Sequence, residues 1–221
     1  MSNPRPQSFR KIGIFGGTFD PVHVGHIVMA SEARFVLDLD IVLFVPAGSP
    51  PHKRDYELAP NEDRWAMLEM VIGDRAEYAL SDLDIREPGP SYTVTLLERA
   101  RERYPKASLF FILGGDSLRD LPNWNEPHRI PGLATIVCVN RPDVTVDENE
   151  ILRLIPEVQS RIEFIDGPLI DVSSTDIRHR TRSGAPIWGH VPDNVAAYIR
   201  TRRLYQRSGE TKTSEDVSTG D

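Results

Sequence analysis

Ile12-Gly13-Ile14-Phe15-Gly16-Gly17-Thr18-Phe19-Asp20-Pro21-Val22-His23-Val24-Gly25-His26 is the stretch on which the reading of this chain turns. Its apolar opening predicts a short strand over about Lys11–Phe15. Two glycines and a threonine then leave no bulky side chain between strand and turn. A helix-period segment follows, predicting a helix from about Val24 to Leu39. A strand, a glycine turn and a helix start together make a phosphate site. Glycine lets a ligand approach the backbone, and the unpaired N–H groups of a first helical turn face an anion. His23 and His26 are three apart and fall on one side of that turn, and Gly25 between them leaves room for a phosphate oxygen.

Further strands are expected at Ile41–Val45, near Glu77–Leu80, at Ser108–Leu113, at Ala134–Val139 and at Arg161–Ile165. Helical patterns lie between them at about Asn61–Ile72, Tyr92–Arg103 and Glu148–Ile155. Two more follow the last strand, near Thr175–Arg182 and Pro192–Tyr205. Strands alternating with helices predict an α/β fold: a Rossmann-like, doubly wound parallel sheet of order 3-2-1-4-5 plus a sixth strand, with C-terminal helices. In that order the turns after strands one and four, Gly16-Gly17-Thr18 and Gly114-Gly115-Asp116, are neighbours at the switch point where such sheets bind ligands. A single domain is expected over 10–207, with flexible polar tails at 1–9 and 208–221.

Composition narrows the partners. The chain has 221 residues and a formal net charge of −7. That balance argues against a general nucleic-acid binder, while allowing a local basic pocket. No apolar run is long enough to span a membrane, and the first eleven residues hold no apolar leader, so a cytoplasmic protein is expected. The one cysteine, Cys138, has no internal disulfide partner and reads as buried packing. Association into a homo-oligomer is compatible with the sequence, which does not specify it.

The phosphate turn lacks both G-x-G-x-x-G and G-x-x-x-x-G-K-[ST], which disfavours a nicotinamide-dependent oxidoreductase and a P-loop ATPase. No H-E-x-x-H pattern or cysteine cluster accompanies the histidines, so no metal is expected on side chains. A second phosphate candidate is Ser173-Ser174-Thr175-Asp176-Ile177-Arg178. One of its serines can cap the helix that follows, with Asp176 completing an S-x-x-D box. Beside the first motif, its hydroxyls, free N–H groups and Arg178 also read as a triphosphate clamp. Pro50-Pro51-His52-Lys53 sets two basic groups on a stiff loop, and Arg141 follows strand five; these suit an anionic acceptor or leaving pyrophosphate. Asp116 is placed to bond ribose hydroxyls. Trp124 lies in a turn with no amphipathic helix to account for it. The arginines at 200, 202, 203 and 207 could suggest RNA, but read rather as the solvated end of the last helix, where positive charge suits the dipole.

Gly-Gly-Thr-Phe-Asp-Pro-x-His-x-Gly-His at 16–26 resembles the signature of the nucleotidyltransferases that carry an HxGH motif, and Ser-Ser-Thr-x-Ile-Arg at 173–178 resembles their second signature. Pro-Ala-Gly-x-x-Pro-Pro-His-Lys at 46–53 is similar to a loop of the bacterial nicotinate-nucleotide adenylyltransferases. The resemblance implies transfer of AMP from ATP to nicotinate mononucleotide, with Mg²⁺ carried on the ATP phosphates. His23, His26 and Arg178 would be catalytic. Gly16, Gly17, Thr18, Phe19, Gly114, Asp116, Ser173, Ser174 and Thr175 would hold ATP. His52, Lys53, Tyr92, Thr93, Trp124 and Arg141 would hold the acceptor, with Tyr92-Thr93 opening a helix beside the nicotinate ring and Trp124 stacked on it. One departure is Thr95, which stands where that family pattern has an acidic residue. Other phosphorylated acceptors, nicotinamide mononucleotide and phosphopantetheine among them, and a non-catalytic nucleotide sensor are the rival readings.

Overall fold

A computed structural model describes residues 9–51, 58–140, 147–168 and 170–206. Six strands, β1 (Lys11–Gly17), β2 (Ile41–Pro46), β3 (Tyr78–Leu80), β4 (Ser108–Gly114), β5 (Thr135–Asn140) and β6 (Ile162–Asp166), form one sheet. Its order is β3-β2-β1-β4-β5-β6, and every pairing is parallel. The helices are α1 (Val24–Leu37), α2 (Asn61–Ile72), α3 (Thr93–Arg103), α4 (Gly115–Asp120), α5 (Ile130–Leu133), α6 (Glu148–Leu154), α7 (Ser174–Ser183) and α8 (Asp193–Thr201). The predicted order is therefore the observed one.

The strands alternate between two cores, as a period of two dictates. Ile41, Leu43 and Val45 of β2 share one apolar layer with Leu96, Leu97 and Ala100 of α3, while Val42 and Phe44 share the other with Met67, Leu68 and Val195. Both faces are thus covered, the condition under which a parallel sheet is stable. Phe9, ahead of the expected domain start, packs partly buried against the first layer. Cys138 is fully buried, its S–H donates to Asn140 Oδ1 at 3.3 Å, and burial pushes the thiol up to about 12. It is a packing residue with no accessible thiolate.

Two helices are shorter than their sequence patterns. α1 stops at Leu37, because Asp38 turns left-handed (φ +50°) and the N–H groups of Asp38 and Leu39 fold back onto Phe35 and Arg34. α8 stops at Thr201, because Arg203 turns left-handed (φ +54°) and Leu204 N–H returns to Ile199 C=O at 3.0 Å. Both are Schellman closures built without glycine. Arg202 corrects the reading of a solvated arginine cluster: its guanidinium binds the buried Asp63 at 2.9 Å, where Tyr198 also donates at 2.7 Å, and this fastens α8 to α2.

Candidate active site

β1 and β4 are adjacent, so their carboxyl ends bring the Gly16–Thr18 and Gly114–Asp116 turns side by side. On one side of this crevice lies a cavity of about 220 Å³. Gly16, Gly17 and Thr18 form one wall, Tyr92 and Thr93 another, and Pro50, Pro51 and Trp124 complete it. Trp124 follows a short 3-10 turn, is half-buried and meets Phe111 edge-on at 6.2 Å. Tyr92 is the N-cap of α3 and lends it no side-chain cap; Thr93 is its first residue. The first-turn N–H groups of α3 have no partner within their own helix, which makes this end of the cavity attractive to a carboxylate. Thr95 adds to this: the first turn of α3 carries no acidic residue.

The cavity's walls are tied at residues that sequence reasoning missed. Asp84, buried, accepts the Gly48 N–H at 3.0 Å and faces Arg99 at 3.5 Å. Gly48 permits this approach, since a Cβ there would sit 3.0–3.1 Å from the carbonyl oxygens of Ile85 and Asp84. Ser49 and Ser91 exchange two bonds: Ser49 N–H donates to Ser91 Oγ, and Ser91 N–H donates to Ser49 C=O, each at 2.9 Å. Arg64 is fully buried and donates to the carbonyls of Thr18 (2.7 Å), Ala47 (2.6 Å) and Ala59 (3.2 Å). One side chain of α2 thus fixes the turns after β1 and β2 together. No local pattern marks this role of Arg64, because two of its carbonyl partners, Thr18 and Ala47, lie far off in the chain.

On the other side stand the histidines. His23 caps α1 in an extended conformation, and His26 lies one turn in. Their rings stack with centroids 3.7 Å apart. His26 Nδ1 accepts the His23 backbone N–H at 3.2 Å. That bond fixes the tautomer in which Nε2 carries the proton and can be given to an anion. Phe19 is buried beneath them, its ring edge-on to His26 at 5.0 Å, so its side chain is packing and only its backbone can meet a nucleotide.

A Cβ on Gly25 would lie 3.0 Å from His23 Nδ1, so the missing side chain at this position leaves room for the His23 ring. The Val24 N–H is bound by His190 C=O at 3.0 Å, so the start of α1 offers fewer free donors than a bare helix end.

The second phosphate candidate docks directly onto the first. Ser173 caps α7 by accepting the Asp176 N–H at 3.1 Å. Ser174 Oγ donates to Pro21 C=O at 2.9 Å. Arg178, nearly buried, donates to Asp20 C=O at 2.8 Å and to Thr175 Oγ1 at 3.2 Å. Of the three hydroxyls only Ser174 spends its proton within the protein; Ser173 and Thr175 act as acceptors and keep an O–H to give, beside Arg178 and the first-turn N–H groups of α7.

Gly114 sits at the rim beside Met29, and Asp116 is exposed and paired with Arg119 at 3.5 Å; neither lines the cavity, whereas Ser117 does. A narrow cleft opens between Gly25, Val28 and Met29 of α1, Val139 and Asn140 at the end of β5, and Gly167 and Pro168 after β6. His52, Lys53 and Arg141 lie outside the described residues. Among the described residues no group of three or more His, Cys, Asp or Glu is arranged to hold a metal ion, and no helix is long and apolar enough to cross a membrane.

Comparison with known proteins places this geometry. A cytidylyltransferase-like family model matches residues 14–180. A probable nicotinate-nucleotide adenylyltransferase of Thermomicrobium roseum is 42% identical over 196 residues, covering 89% of this chain and 92% of the relative. One from a Roseiflexus species is 44% identical over 195 residues, covering 88% and 98%. Among solved structures, Plasmodium falciparum nicotinic acid mononucleotide adenylyltransferase complexed with NaAD shares the fold, with a TM-score of 0.75 at 22% identity, over 89% of this chain and 97% of that one. With both signatures meeting across one crevice and such relatives matched nearly end to end, the chain belongs to the nicotinate-nucleotide adenylyltransferase family of nucleotidyltransferases.

Proposed function

We propose that this protein transfers AMP from ATP to nicotinate mononucleotide, giving nicotinate adenine dinucleotide and pyrophosphate in NAD biosynthesis. The observation that carries the reading is the docking of Ser174 and Arg178 onto Pro21 and Asp20, beside the stacked histidines and next to the aromatic cavity. One half of that arrangement suits a polyphosphate, the other a flat ring bearing an anionic group.

An oxygen of the acceptor's 5′-phosphate attacks the α-phosphorus of ATP. A new P–O bond forms, the α–β bridging bond breaks, and pyrophosphate leaves with the electron pair. The attacking phosphate is already ionised near neutral pH, so no general base is needed. What remains for the protein is alignment and stabilisation of charge. His26 donates through Nε2–H to the triphosphate as charge shifts toward the leaving group, with His23 stacked against it. Arg178 and the start of α7 hold the outer phosphates. Trp124 covers the acceptor ring, and the start of α3 receives its carboxylate. The donor set around the histidines is cationic and N–H-rich, which suits phosphates and not a bare cation; Mg²⁺ would enter on the ATP oxygens, keeping much of its water and neutralising their charge.

Pyrophosphate release from Mg·ATP, measured with nicotinate mononucleotide, nicotinamide mononucleotide and phosphopantetheine in turn, tests the reading. Nicotinate mononucleotide should give the highest kcat/KM. Preference for another acceptor would reassign the cavity, and ATP binding without turnover on any of them would leave a sensor.

A further inference from the structure

Beneath the phosphate loop sits a buried carboxylate to which the mechanism above gives no role. Asp20 is fully buried, between Phe19 and Pro21. One of its oxygens accepts the Ala59 N–H at 3.2 Å and the Tyr205 hydroxyl at 2.7 Å. The other makes no hydrogen bond among the described residues and faces the Arg178 guanidinium at 4.0 Å. Arg178 also donates to the Asp20 carbonyl, so residue 20 holds that guanidinium by both its backbone and its charge. Tyr205 reaches this point by an unusual route. After the left-handed Arg203 that closes α8, Tyr205 is itself left-handed, with φ +63°. That conformation is costly for a bulky residue and persists only where surrounding contacts impose it. Here the contact is a hydroxyl placed on a carboxylate 185 residues away.

We propose that Asp20 is a positioning residue for the transfer, orienting Arg178 toward ATP, and that the Tyr205 hydroxyl latches the C-terminal turn onto it to keep it a carboxylate. A carboxylate removed from water needs compensating donors and counter-charge. The groups facing Asp20 are Tyr205 after α8, the Ala59 N–H before α2, Arg178 of α7 and Arg64 of α2. Burial pushes its carboxyl up, and Tyr205, Ala59 and the two arginines oppose that. Removing the Tyr205 hydroxyl leaves burial less opposed. Asp20 then takes up a proton at higher pH, and Arg178 loses the charge that orients it.

This rests on the adenylyltransferase reading, and the test separates the two. Tyr205→Phe should raise KM for ATP about threefold to tenfold and leave KM for nicotinate mononucleotide unchanged, the scale of one lost hydrogen bond. The ratio of variant to wild-type kcat/KM should fall further as pH drops, because the substrates' own ionisations cancel in that ratio. Asp20→Asn, nearly isosteric, should lower kcat/KM for ATP at least about tenfold at neutral pH and above, where the wild-type residue is a carboxylate, the scale of a lost charge-assisted bond. Tyr198→Phe is the structural control. It removes the comparable bond to Asp63 and should lower thermal stability without a pH-dependent change in kinetics. A flat ratio for Tyr205→Phe, or effects matching those of Tyr198→Phe, would overturn the latch. If the wild type releases no pyrophosphate with nicotinate mononucleotide, the functional reading has failed; a non-hydrolysable ATP analogue titrated into wild type and Tyr205→Phe then still decides the latch, by weaker binding to the variant or by equal binding.

Discussion

His26 is a residue whose chemistry its neighbours decide. Its Nδ1 is committed to the His23 backbone N–H, so Nε2–H is its one donor. A single donor aimed at developing charge is typically worth about 2.7–4 kcal/mol. His26→Ala should therefore lower kcat/KM by about two to three decades in steady-state pyrophosphate release, and a loss under about twofold would remove it from the chemistry. Trp124 acts on binding instead. It is half-buried against Phe111 with a face toward the cavity's other walls. Base–aromatic stacking contributes about 1–3 kcal/mol, so Trp124→Ala should raise KM for the mononucleotide by one to two decades while KM for ATP holds. Residues such as these were readable in the sequence because each lies in a short motif whose chemistry is local. Arg64 and Asp84 were not, and Asp20 was legible as part of the first motif but not as the partner of Arg178 and Tyr205, because what defines these roles is contact with segments distant in the chain.

At the scale of the element, α2 shows what holds the site's two turns in register. Arg64 donates to three carbonyls on three separate segments, Thr18, Ala47 and Ala59. Arg64→Met keeps much of the volume and leaves those carbonyls without their donor. A buried polar group left unpaired costs about 1–3 kcal/mol, so the total should reach about 3 kcal/mol or more, visible as a lower urea midpoint with an unchanged slope. Acceptor affinity should fall with it, since the cavity's Gly16–Thr18 wall loses its brace. Helix boundaries show where local reading ends. α7 closes at Gly184, left-handed at φ +73°, the residue type that takes this conformation most readily. The ends of α1 and α8 were overrun by two and four residues, because Asp38 and Arg203 take the same conformation with nothing in their type to require it.

For the whole molecule, strand order was the property most fully written in the sequence, because alternation of strands and helices admits few right-handed arrangements. What the pattern did not reveal is how the ends of the fold are secured. Asp40 accepts the N–H groups of Lys11 at 2.9 Å and Arg10 at 2.6 Å, anchoring the entry to β1 beside the end of α1. Those two bonds hold its carboxyl below the usual carboxylate range. The stabilisation is therefore complete above the unfolded value of about 3.9 and is lost as pH falls through the lower folded value. Asp40→Asn should melt at lower temperature than wild type at pH 7, and the gap should narrow as pH falls below about 3.9, followed by circular dichroism.

The bond between Tyr205 and Asp20 spans 185 positions. Translation runs from the amino end at about 5–20 residues per second, so the tyrosine is made roughly 10–40 s after the aspartate it seals. Throughout that interval a nascent chain carries the HxGH turn without the seal beneath it, and for most of it without the arginine as well. Nucleotide could then protect only the finished polypeptide from proteases, and a ribosome-stalled fragment would gain nothing from cellular ATP.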